Sequence, residues 1–144
     1  MRISGLAGVT GLVILLCACS SDPSGPGGGA LTGLFGNPDQ LAQLVALHES
    51  AELQLPCGAY FGVSGPIRLA DDLTFRAEGL WHASSFGIPS EPERGVAIGS
   101  YETATGQVHM HLELGGDDPF PYVLASGVSG GLEHVVCALT SPAD

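Results

Sequence analysis

The chain has 144 residues, enough for one domain with its own core and too few for two of ordinary size. Fifteen Asp and Glu stand against four arginines and no lysine, a formal net charge of −11. A surface with that balance repels nucleic acid and anionic lipid headgroups, which need cationic side chains to displace their counterions, so both are excluded as partners of the protein surface.

Behind Arg2, the run from Leu6 to Leu16 is almost wholly apolar, and it ends at Ser20, Ser21 and Asp22. A spanning helix needs roughly 20 apolar residues. The positive start, short apolar middle and small-residue end instead match a secretory signal over residues 1–18. The four residues that close it, Leu16-Cys17-Ala18-Cys19, resemble the lipobox of bacterial lipoproteins. In that family an apolar residue at minus three and a small one at minus one precede a cysteine that is acylated and becomes the new N-terminus. Cys17 departs from the pattern, where Ala, Ser or Thr is more usual. The resemblance implies a signal peptide cleaved before Cys19, lipidation of Cys19 by palmitate-type acyl chains, and a mature chain held to a membrane by lipid. More than one chain is needed for stable anchoring. Ser20, rather than Asp, after the cysteine implies outer-membrane sorting where the bacterium has two membranes. Loss of Arg2 takes the formal charge from −11 to about −12.

Residues 19–36 are rich in Ser, Pro and Gly and offer little to bury, so they are expected to form a flexible tether. A short helix over about Asn37–Glu52 should come next. Asn37 suits the cap, Pro38 the first helical position and Gln40 the third place of a capping box. Leu41, Leu44, Val45, His48 and Ala51 then recur at helical spacing, and Pro56 closes the segment.

From about residue 55 to residue 140 the period changes to two. Leu55, Cys57, Ala59, Phe61 and Val63 share one face; Leu73, Phe75, Ala77 and Trp81 oppose Thr74, Arg76, Glu78 and His82. In QVHMHLEL, Val108, Met110, Leu112 and Leu114 point one way and Gln107, His109, His111 and Glu113 the other. Turn residues fall between the runs at 70–72, 103–106, 115–119 and 129–131, marking about seven strands near 55, 67, 73, 95, 107, 119 and 131. Short links favour antiparallel neighbours. The expected fold is therefore mainly β: a small antiparallel meander closed into a barrel or half-barrel, with the helix over one opening.

Cys57 and Cys137 remain once the leader cysteines are set aside. In an oxidising compartment a disulfide between them is the expected pairing, worth about 4 kcal/mol by loop-closure entropy and bringing the first and last strands together. A metal or redox pair would more usually show close C-x-x-C spacing. Gly58-Ala59-Tyr60, Gly99-Ser100-Tyr101 and the run YETATGQVHMHLEL resemble the meandering sheets of lipocalin-like lipoproteins. That resemblance implies a ligand pocket, although a small barrel is normally filled by its own side chains.

His109, His111 and Glu113 share a strand face, where imidazole and carboxylate could hold a divalent ion with help from His82 or His134 on other strands. The competing reading is the wet face of a sheet. Asp117 and Asp118 could chelate calcium but lack EF-hand spacing, and a solvated turn fits them better. GVSGG at 127–131 formally fits the nucleophile elbow around Ser129, yet the next residues, LEHVVCAL, read as strand and not as the required helix. Phe86 and Ile88, in the longest connection, could contact a partner or fold down over the barrel end. Together these features point to an exported, lipid-anchored, non-enzymatic β-module without a cofactor. It would bind a small apolar ligand or another envelope protein; the alternatives are a metal-binding protein centred on His109 and His111 and a purely structural envelope component.

Overall fold

The computed structural model of the chain describes residues 29–85, 88–89, 91–116, 119–135 and 137. In chain order the strands are β1 (Ala30–Leu31), β2 (Gly33–Asn37), β3 (Ala42–Ala46), β4 (Ala51–Gln54), β5 (Tyr60–Val63), β6 (Ile67–Arg68), β7 (Thr74–His82), β8 (Ser84–Ser85), β9 (Ile88–Pro89), β10 (Glu93–Glu102), β11 (Gln107–Leu114) and β12 (Pro121–Ser126). Two single turns of 3-10 helix, Pro56–Gly58 and Leu132–His134, are the helical elements among the described residues. None of these is long and apolar enough to cross a membrane.

Eight strands close into an antiparallel up-and-down barrel in the order β2-β3-β4-β5-β7-β10-β11-β12, with β12 returning to β2. Because every neighbour is antiparallel, the connections fall into two sets. The entry end carries β1, the β3–β4 and β10–β11 turns, and β6. The far end carries the 38–41 and 55–59 turns, the ends of β7 and β11 and the starts of β10 and β12. At the entry end β1 pairs with β6 off the barrel and adds Leu31 and Ile67 to the core.

Alternation builds the interior. Phe35, Leu44, Leu53, Phe61, Phe75, Val108, Met110, Leu112 and Leu124 all point inward and are buried, and no polar or charged residue is buried among the described residues. Large rings face glycine: a Cβ at Gly79 would lie 2.7 Å from the Phe61 ring, and one at Gly99 would lie 2.6 Å from the Phe75 ring. Aromatic bulk on β5 and β7 thus fills space that glycine leaves on β7 and β10, as close packing of a narrow barrel requires. At the rim the Phe35 and Tyr101 rings meet edge to face at 6.1 Å.

The strands expected near 73, 95, 107 and 119 are β7, β10, β11 and β12, and Val108, Met110 and Leu112 are buried. Several expectations are corrected. The tether does not reach residue 36, since β1 and β2 begin at Ala30 and Gly33. The helix over 37–52 is instead β3 and β4. Asn37 does cap a turn, its Oδ1 accepting from the N–H groups of Asp39 (2.9 Å) and Gln40 (3.3 Å). Leu41 then swings to φ 50°, which ends any helix, and Ala42, Leu44 and Ala46 turn inward with period two. The helical stripe was a coincidence of short strands with alanine on their inner face.

The run near 55 is a turn as far as Ala59, with Cys57 at φ 63°, and only Tyr60–Val63 is strand. Among the described residues, the segment near 131 contributes Leu132–His134 as a 3-10 turn and no barrel strand. Closure is made by β12 on β2, through Ala125↔Gly36 and Ser126↔Phe35, and not by a disulfide between edge strands. This two-residue ladder is extended by side chains. The Val123 N–H donates to Gln40 Oε1 (2.8 Å), Gln40 Nε2 donates to the Pro121 carbonyl (2.9 Å) and Asn37 Nδ2 donates to the Val123 carbonyl (2.8 Å). The two carboxamides thereby replace backbone partners that a longer β2 would have supplied.

Candidate functional site: a cleft under a disulfide-anchored strap

Two outer surfaces concentrate chemistry. On the wall formed by β7, β10, β11 and β12, the register sets Arg76, Ile98, His111 and Pro121 in one row and Thr74, Ser100, His109 and Val123 in the next. His111 Nε2 lies 3.7 Å from Glu113 Oε1, and Arg76 Nη1 lies 4.0 Å from the other Glu113 oxygen. His109 turns the other way, to Glu102 Oε2 at 3.7 Å. The two imidazoles are thus drawn to different carboxylates, and a guanidinium competes for Glu113. Among the described residues no three His, Cys, Asp or Glu side chains gather closely enough to hold a metal ion. His82 stands elsewhere, its ring stacked on Tyr60 at 4.3 Å.

The second surface lies where the chain leaves β12. Residues 127–135 and Cys137 lie on the outside of the barrel as a strap. The Gly127 N–H donates to the Leu34 carbonyl (2.7 Å), and the Gly130 N–H donates to Gln43 Oε1 (3.1 Å). Glycine is required at Gly130, since a Cβ there would lie 2.6 Å from the Ala42 carbonyl oxygen. At its far end Cys137 is bonded to Cys57, with Cα atoms 5.4 Å apart. The GVSGG motif is the seated part of this strap. The Ser129 hydroxyl accepts from the Gly131 N–H (3.2 Å) and reaches Glu133 at 3.4 Å, and the segment is a turn before a 3-10 turn, not the strand-to-helix bend of a nucleophile elbow.

Between its two attachments the strap stands off β4 and β5 and leaves a cleft of about 420 Å³. Glu52, Gln54 and Tyr60 form its floor, Leu132 and Val135 its roof, and the disulfide turn its end wall. A directional chain of hydrogen bonds runs into it. Gly130 N–H donates to Gln43 Oε1, Gln43 Nε2 to Gln54 Oε1 (3.1 Å), and Gln54 Nε2 to Glu52 Oε1 (2.9 Å). Every donor points toward the carboxylate, so the links polarise one another and orient both amides. Tyr60 leans over Gly62, where a Cβ would lie 3.6 Å from the ring, and Gly62 is the register partner of Glu52. Ring and carboxylate both line the cleft.

Helical spacing over 37–52 conceals Gln43 and Glu52, and Gln54 falls between that helix and the expected strand near 55; their alternation with Leu44, Ala51 and Leu53 is the available signal. Cys19, Phe86, Asp117 and Asp118 lie outside the described residues, as do the side chains of Ile88 and His134. No protein-family model, no curated protein and no solved structure matches the chain.

Proposed function

We propose that the protein is an exported, lipid-anchored envelope lipoprotein whose barrel binds a ligand or an envelope partner and does no catalysis. The observation that carries this reading is the run from a leader ending in Leu16-Cys17-Ala18-Cys19, through Ser/Pro/Gly-rich residues, into the entry end of a closed, disulfide-bearing barrel. A lipid on Cys19 would hold the entry end toward the membrane and turn the far end away from it. Engagement of the Ser129 hydroxyl within its own loop favours binding over hydrolysis. A metal centre on His109, His111 and Glu113 has less support, because Arg76 shares Glu113 and His109 turns to Glu102.

The test is metabolic labelling with radioactive palmitate in a bacterial host, combined with fractionation. The expected result is a labelled protein in the membrane fraction, with both label and membrane retention lost in Cys19→Ala. An unlabelled chain retaining its leader, or one recovered from the cytoplasm, would contradict the proposal.

A further inference from the structure

We infer that the cleft under the strap is a binding site for a small organic cation, an ammonium head on a short apolar body. The inference rests on the reading of this barrel as a binding module and is independent of the lipid anchor.

Five features define the ligand. Among the described residues lining the cleft, Glu52 is the single carboxylate, and the amide chain ending on its Oε1 holds that carboxylate in place while leaving Oε2 without a described partner. The Tyr60 ring also lines the cleft, backed by the nearly parallel imidazole of His82 at an interplanar angle of 12°. A carboxylate and an aromatic ring lining one cleft attract an ammonium group, by charge and by cation–π attraction together. The roof, Leu132 and Val135, is apolar and suits a short hydrocarbon body, and no arginine is among the described residues lining the cleft to serve an anion. Its volume of about 420 Å³ falls in the lower range of small-molecule sites. The net charge of −11, with no lysine anywhere in the chain, favours the approach of cations from solution.

The strap makes this a built site. One attachment is covalent, at Cys57–Cys137, and the other is the close seating of Gly130 on β3. Attachment on both sides of Leu132 and Val135 lowers the ordering cost of binding.

The experiment is an amide NMR titration of the full chain in nonionic micelles with benzyltrimethylammonium, and in parallel with 3-phenylpropionate, an anion of similar size. Saturable shifts at Tyr60, Leu132 and Val135 with the cation alone are expected. Glu52→Gln should weaken binding about tenfold, the equivalent of one ion contact, and Tyr60→Leu about two- to fivefold, the range of an exposed cation–π contact. Unchanged β10 and β11 resonances verify that both variants are folded. Absence of saturable shifts, equal shifts with the anion, or undiminished cation binding by Glu52→Gln would overturn the inference. A chain that is palmitate-labelled yet binds no ammonium loses this inference alone; one that binds ammonium yet carries no lipid loses the anchor alone.

Discussion

The two halves of the barrel are built differently. Strands β7, β10 and β11 run nine, ten and eight residues and share long uninterrupted ladders, eight register pairs on each side of β10. Strands β2 to β5 run only five, five, four and four residues. Their ladders end early, and other devices take over: the Asn37 and Gln40 carboxamides at the closing seam, the Gln43–Gln54–Glu52 chain across β3 and β4, and the strap with its disulfide. The long-strand half is held by backbone pairing and ring-into-glycine packing. The short-strand half is held by side chains and a covalent tie, and the cleft lies there because the tie has to arch over the wall.

The largest effect should come from cutting that tie. Replacing Cys57 and Cys137 together by serine is expected to cost about 4 kcal/mol in denaturant unfolding, from loss of a closure 80 residues apart in sequence. In the other half, Gly99→Ala presses a methyl group against the His109 carbonyl and the Phe75 ring, and should cost about 1–3 kcal/mol through overpacking. That variant should lower the melting temperature of oxidised and reduced protein alike. A loss confined to the oxidised form would mean that the halves are not separable.

Gln40→Ala should cost about 1–2 kcal/mol, because it strips the Val123 N–H and the Pro121 carbonyl of their partners at the seam. Loss of amide protection at Val123 would localise the effect. The smallest prediction is a titration. The Thr74 hydroxyl and N–H both donate to Asp72 Oδ1, at 2.6 and 3.1 Å, and hold the Asp72 carboxyl below its ordinary 3.8. A folded value below the unfolded one means that this contact stabilises above the ordinary carboxylate range and is lost as pH falls through the folded midpoint. Thr74→Ala should move the Asp72 midpoint upward in a carboxyl NMR titration; an unmoved midpoint would remove the hydroxyl as its cause.

The same contrast explains what could be read from the sequence. Long strands repeat their alternation often enough to be recognised, so QVHMHLEL and its outward His109, His111 and Glu113 were legible, as was an antiparallel meander forming a barrel or half-barrel. Four- and five-residue strands repeat it twice at most. Asn37, Pro38 and Gln40 then imitated a helix start, because an Asx turn and a helix cap use the same donors and acceptor. Leu132–Cys137 looked like a strand because Val135 and Leu132 are apolar, but they roof a cleft instead of completing a ladder. The pairing of Cys57 with Cys137 was readable once the leader-like stretch set Cys17 and Cys19 aside. The cleft was not, since it depends on the strap's path over β4 and β5.

Hydrogen exchange, measured residue by residue before and after reduction, tests the division between the halves most directly. Reduction should deprotect β4, β5 and the strap while the amides of β10 and β11 keep most of their protection. Equal loss around the whole barrel, or protection in β4 and β5 that survives reduction, would contradict the account.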